Sequence, residues 1–186
     1  MQTRTLRLGD KEILVVDGLV DEQRVGEIDS FCRQLAFQRI RYSYRDSAEA
    51  PMQYGHQWLH LVTQEETARL PIRELRAFVD ERFADRGLSP SRAHLSCIQP
   101  GDSRFAHIDD ATGRVLTAVY FVNQTWARDW AGELVFFNGD EASLAVFPRP
   151  GRVVLFDGTT LHRGGVPSLS AGDVRFALAH KFMAKG

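Results

Sequence analysis

Beyond Pro90 the chain breaks into short β-prone runs, one after another: RAHLSCIQ, RVLTAVYFVN, GELVFFN, LAVFP, RVVLFDG and VRFALAHKFM. The segments between them, PGDSR, DATG, NGDEA, PRPG and PSLSAGD, are built from residues that favour turns. Many short strands at such spacing predict a sandwich or a barrel. Residues 1–90 differ in kind. TLRLGDKEILVVDG reads as two strands around a Gly9-Asp10 turn. VDEQRVGEIDSFCRQLAF reads as a helix, with Asp21 as N-cap and Val25, Ile28, Phe31 and Leu35 at helical spacing. From Arg39 to Tyr54 a strand and an irregular loop are expected. A second helical region follows, begun or kinked at Pro71, with Leu75, Phe78, Val79 and Phe83 on its apolar face and Gly87 at its end.

The chain has 186 residues, enough for one domain with a full core. Its formal net charge of -1 argues against nucleic acid or a membrane surface as partner. No run of apolar residues is long enough to span a bilayer, and MQTRTLRLGD has no apolar signal core. The two cysteines, Cys32 and Cys97, lie far apart, so a reduced cytoplasmic setting is expected rather than a disulfide framework. The sequence leaves the oligomeric state undetermined.

The chemistry concentrates in FAHIDDATGRVLTAVYFVN, Phe105 to Asn123. His107 and Asp109 have the same-side spacing of a strand, where alternate side chains share a face. A second histidine, His162, follows a β-run and a glycine-containing turn in FDGTTLHRGGVP. Two imidazoles and one carboxylate hold ferrous iron on one face and leave the opposite positions open. Arg175 lies in a strand that otherwise reads as buried. An unpaired buried charge is costly, so Arg175 needs an anion: a protein carboxylate or a bound dicarboxylate. Asp173 is the nearby alternative partner. An exposed turn histidine is the bland alternative for His162.

The order H-x-D, RVLTAVYFVNQTW, GELVFF, PRPGRVVLFDGTTLHRGGVP, RFAL resembles the iron(II)- and 2-oxoglutarate-dependent oxygenases, and within them the prolyl-4-hydroxylase-like branch. The resemblance covers Leu95 to Phe182. It implies a mainly β (α+β) fold, a double-stranded β-helix or jelly roll of the cupin-like kind, with its core in residues 91–186. Helices within residues 1–90 would buttress one sheet. It implies His107, Asp109 and His162 as iron ligands, and Arg175 as the partner of the distal carboxylate of 2-oxoglutarate. The strand after H-x-D would line the cosubstrate pocket with Thr117, Val119 and Phe121, while Tyr120 points to the other layer. The resembling prolyl hydroxylases often carry a tyrosine at the Phe121 position. Phenylalanine cannot replace its hydrogen bond, so Thr117 or a water is the expected second contact. Gln99 is a further candidate, as donor to the keto acid.

The implied activity is hydroxylation of an unactivated C–H bond, or a related desaturation or cyclisation, with dioxygen consumed and 2-oxoglutarate decarboxylated to succinate. Halogenating relatives lack the carboxylate ligand, and this chain keeps Asp109. A small-molecule substrate is the first expectation, a peptide side chain the second, and a non-catalytic cupin-like binding module the third. In MQYGHQWLHL, the residues Tyr54, His56, Trp58 and His60 alternate along a strand, either as pocket wall or as edge-strand packing. Tyr54, His56 and Trp58, together with Arg104 just before the H-x-D, are the candidate substrate contacts. Arg39, Arg41 and Arg45 could meet an anionic substrate, or simply be solvated. Arg114 is a weaker candidate at the mouth. His94 and His180 are expected to be ordinary strand or surface histidines.

Overall fold

The computed structural model describes residues 1–44 and 52–185; Arg45 lies outside them. Eleven strands and two α-helices follow in chain order: β1 (Gln2–Leu8), β2 (Lys11–Asp17), α1 (Glu22–Cys32), β3 (Gln38–Tyr44), β4 (Gln53–Leu61), α2 (Ile72–Arg82), β5 (Leu88–Ile98), β6 (Val115–Phe121), β7 (Leu134–Asn138), β8 (Glu141–Val146), β9 (Val153–Asp157), β10 (His162–Gly164) and β11 (Arg175–Ala184). They form two sheets, one ordered β1-β2-β9-β6-β11-β5-β4-β3 and a smaller one ordered β10-β7-β8. All strand pairs are antiparallel. This is the double-stranded β-helix architecture, with helices laid on the larger sheet.

Strand alternation sorts the apolar residues onto two faces. Leu95, Cys97, Leu116, Tyr120, Leu155 and Leu178 pack towards the helices, with Ile28 and Phe31 of α1 and Leu75, Phe78 and Val79 of α2. The other face carries Val15, Val119, Phe121, Val154 and Phe156, which meet Leu134, Phe136 and Val146 of the smaller sheet. The second core therefore lies between the sheets, and its continuation at the open end of that layer is where the functional side chains lie.

The helix boundaries follow local chemistry. The Asp21 carboxylate accepts from the Arg24 amide at 2.8 Å, which satisfies one of the free N–H groups at the start of α1. Pro71 stands as the N-cap of α2, where its missing N–H costs nothing. A 3-10 turn over Glu66–Arg69 precedes it. Gly87 closes the region in the left-handed conformation, φ +55, which a β-carbon would disfavour. Both cysteines are free and buried. Among the described residues no helix is long and apolar enough to cross a membrane.

Candidate active site

The H-x-D segment is not a regular strand, although its spacing suggested one. His107 makes an isolated antiparallel bridge with His162: the His107 amide donates to the His162 carbonyl at 2.9 Å and the His162 amide to the His107 carbonyl at 3.0 Å. The backbone then turns. The amides of Asp109 and Asp110 both donate to the Gly158 carbonyl, at 2.8 and 3.1 Å. The Asp110 carboxylate organises the next turn by accepting from Thr112 Oγ1 and from the Arg114 amide, each at 2.8 Å. Asp109 thus reaches the side of His107 through a hydrogen-bonded turn that also delivers the chain into β6.

One ligand atom each from His107, Asp109 and His162 lies within 4.8 Å of the others. His107 Nε2 is 3.6 Å from Asp109 Oδ1, and His162 Nε2 is 3.8 Å from Asp109 Oδ2. Each imidazole points its Nδ1 at a carbonyl of its own segment, Phe105 at 3.1 Å and Thr160 at 2.9 Å. That contact places the proton on Nδ1 and leaves the Nε2 lone pair directed at the shared centre, the orientation a metal requires. Burial, with His107 beside it, pushes the His162 pKa down to about 4, so its ring is neutral and able to ligate at neutral pH. Phe156 packs on the His162 ring at 4.6 Å between centroids and fixes its plane.

Asp109 is held by two further donors. Thr117 Oγ1 donates to Oδ2 and Lys181 Nζ to Oδ1, both at 2.7 Å. Burial alone would raise the carboxyl pKa, but His162, Lys181 and Thr117 outweigh it and hold the group below its ordinary value. Thr117 is therefore committed to the carboxylate, whereas the sequence suggested it as a contact for the cosubstrate.

Arg175 opens β11 and is 2% exposed. Its Nε and Nη1 are buried with no hydrogen-bond partner. Asp173 is not its partner, for that carboxylate is taken by Arg33 and Asn123. The guanidinium lies over the Phe121 ring at 5.5 Å. Burial and the neighbouring charge of Arg104 push its pKa down to about 9, which an incoming anion would reverse. Two glycines make room for it: a β-carbon on Gly164 would stand 2.9 Å from Arg175 Nη2, and one on Gly132 3.0 Å from its Cδ. Gly164→Ala is therefore expected to displace the guanidinium and weaken 2-oxoglutarate binding by about tenfold, by analogy with the loss of one charged hydrogen bond. Anaerobic titration of the charge-transfer band checks this.

His107, Asp109, His162, Arg175, Thr117 and Val119 line one cavity of about 390 Å³, and Arg104 joins them. This volume is of the size that holds a small organic ligand. Arg104 bonds Gln57 at the rim. Phe121 supports Arg175 from below but does not line the cavity. Gln99 faces the helix side, where its side chain meets the Cys97 thiol. Trp58 packs there too, against the helix-side core. Tyr54, half exposed, carries the Arg41 guanidinium over its ring at 4.2 Å. His56 lies opposite Arg41 on β3, and neither it nor Tyr54 lines the cavity. From β4 it is the odd-numbered Gln57 that reaches the cavity. His60 is fixed by the Ala36 carbonyl at 2.9 Å and by Glu66. Arg114 donates to the Ala184 carbonyl. Lys181, Arg92 and His94 line the cavity as well. Alternation along β11 from Arg175, through Ala177 and Ala179, was the sequence signal for Lys181.

Two orphaned donors on a buried arginine, in a glycine cradle beside two histidines and a carboxylate, fit a dicarboxylate spanning from Arg175 to a divalent metal. Residues 93–182 match the family described as the 2OG-Fe(II) oxygenase superfamily. Over those residues the chain belongs to that superfamily. It is an enzyme that uses iron(II) and 2-oxoglutarate, and its two-histidine, one-carboxylate set supports hydroxylase chemistry. No curated protein matches it in sequence. Similar solved structures include a prolyl hydroxylase from Trichoplax adhaerens, in complex with a hypoxia inducible factor oxygen degradation domain peptide fragment, at 14% identity and TM-score 0.68, covering 92% of this chain and 83% of that one. A Pseudomonas putida prolyl-4-hydroxylase is 19% identical with TM-score 0.64, covering 94% and 93%. HygX from Streptomyces hygroscopicus, with nickel and 2-oxoglutarate bound, is 12% identical with TM-score 0.65, covering 93% and 83%. At these identities the likeness is one of fold.

Proposed function

We propose that this oxygenase hydroxylates a side chain presented on a peptide, of the prolyl type, with His107, Asp109 and His162 holding iron(II) and Arg175 holding the distal carboxylate of 2-oxoglutarate. Bound there, ferrous iron and 2-oxoglutarate supply the coupled oxidation, in which one atom of dioxygen enters succinate as carbon dioxide is lost and the other is inserted into the substrate C–H bond. The chain's own part is positional. The Nδ1–H contacts of the histidines orient their lone pairs, Thr117 and Lys181 fix the carboxylate, and the apolar wall of Val119 and Leu134 limits stray water.

The observation that carries the peptide reading is the frame of the cavity. Its rim includes Ser43 on β3, an edge strand of the larger sheet among the described residues, together with Gln57 and Ile108. Ile108 is 45% exposed. An edge strand offers unpaired backbone groups to an extended chain, and an exposed apolar residue at the rim suits one side of it. The peptide held by the Trichoplax enzyme agrees with this reading. A free small molecule, the first expectation from sequence, is the alternative. The test is succinate release and a one-oxygen mass gain with a pool of proline-containing peptides. Turnover of free small molecules with none of any peptide would refute the proposal.

A further inference from the structure

We propose that the cavity holds a second anion subsite, formed by Arg92 and Lys181 with His94 beside them, which takes a carboxylate of the substrate. The inference rests on the peptide-hydroxylase reading for the source of that carboxylate, an acidic residue flanking the oxidised one.

The placement follows from strand register. Arg175 stands opposite Ile98, Ala179 opposite His94 and Lys181 opposite Arg92 across the β11–β5 pair. Alternate residues share a face, so Arg175, Ala177, Ala179 and Lys181 form one row, and Ser96, His94 and Arg92 the neighbouring row. All of them line the cavity. Small side chains keep the middle of the floor low. The two ends are cationic: Arg175 is deep and buried, whereas Arg92 is exposed at the rim and Lys181 is 18% exposed. Asp109 lies against the Lys181 end.

Charge is the decisive observation. Among the described residues lining the cavity there are four cations, Arg92, Arg104, Arg175 and Lys181, and one acid, Asp109. The divalent metal and 2-oxoglutarate neutralise each other, and the acid balances one cation. With Arg104 set aside, because it is engaged elsewhere, two positive charges then remain with no protein anion among the described lining residues. Like charges directly opposite on neighbouring strands repel, which is the relation of Lys181 to Arg92. A carboxylate between them removes that repulsion. Lys181 has three donor hydrogens and one rests on Asp109. His94 keeps its Nδ1 buried with no hydrogen-bond partner. Burial, with Arg92 next in effect, pushes its pKa down to about 4, so the ring is neutral and adds a hydrogen bond rather than a charge. Because Lys181 touches the metal-binding carboxylate, the recognised anion lies close to the carbon that is oxidised.

The experiment uses the enzyme loaded anaerobically with iron(II) and 2-oxoglutarate, with substrate binding read from the shift of the charge-transfer band. The probes are matched peptides with a central proline flanked by Glu, Gln or Lys, and N-acetylproline beside its amide. The Glu peptide is expected to bind about tenfold more tightly than the Gln peptide, with the Lys peptide weakest. That preference is expected to shrink at high salt, to vanish in Arg92→Gln and to persist in Arg92→Lys. Peptide binding without charge preference, or a preference intact in Arg92→Gln, overturns the subsite and leaves the peptide reading standing. N-acetylproline preferred over its amide, with no peptide bound, supports the subsite and overturns the peptide reading. Failure of every anionic probe to exceed its neutral partner overturns the subsite outright.

Discussion

Replacing Arg175 with methionine is expected to weaken 2-oxoglutarate binding by about 100-fold or more, while leaving the cosubstrate-free protein as stable as before or more stable. The two effects have one origin. The guanidinium is 2% exposed and its Nε and Nη1 meet no acceptor. Loss of a buried charge pair with a ligand carboxylate costs about 2–5 kcal/mol, which is the source of the affinity estimate. Without that carboxylate the arginine is a buried cation held by a ring face and by glycines, and exchange of buried charge for apolar volume is neutral or stabilising by about 1–4 kcal/mol. Chemical denaturation without 2-oxoglutarate measures the second effect, and anaerobic cosubstrate titration the first. Arg175→Lys is expected to fall between, because an ammonium keeps the charge and loses the fork. Equal 2-oxoglutarate affinity in the wild type and Arg175→Met would remove the dicarboxylate from this end of the cavity.

That Arg175 could be singled out from sequence has a simple physical basis. It is a charge at a strand start whose following neighbours, Phe176 to Ala179, are all apolar, and such a charge demands a partner. The shared face of Thr117, Val119 and Phe121 was legible for a related reason: alternation fixes faces once a single residue of β6 is anchored. Asp21, Pro71 and Gly87 were legible because helix ends have local requirements. The failures come from places where tertiary contacts overrule local pattern. The H-x-D spacing looked like a strand, but the carbonyl of Gly158 collects two amides and turns the chain. Tyr54, His56 and Trp58 do share an alternation, yet nothing in MQYGHQWLHL says which of the two faces looks into the cavity. The helix layer claims the even-numbered one through Trp58. Thr117 was expected to meet the cosubstrate because its face was known and its nearest acceptor, Asp109, was not.

Asp109→Asn is expected to lower iron(II) affinity by more than about 100-fold and to destabilise the metal-free fold by about 1–3 kcal/mol. A ligand lost outright exceeds the 10–100-fold typical of a lost supporting contact. The carboxylate accepts from Thr117 and from Lys181, and both of its oxygens are engaged. An asparagine can keep its oxygen on Lys181 and turn its amide to Thr117, whose hydroxyl can accept, but it brings no negative charge to the ammonium. Lys181 is 18% exposed and loses its ion pair with Asp109, which leaves a cation partly desolvated. Severing a fully buried pair costs about 3–5 kcal/mol, and the remaining contact of Lys181 with water reduces that figure. The same positive charge then faces the incoming metal without compensation. Lys181→Met added to Asp109→Asn is therefore expected to recover part of both losses, whereas Lys181→Met alone breaks the pair from the other side and gains nothing in stability. Metal titration and denaturation of the four proteins form a double-mutant cycle. Additive effects would mean that Lys181 does not act on the metal site through Asp109. A coupling that favours the double variant would identify the ammonium as the group that fixes the carboxylate at the metal.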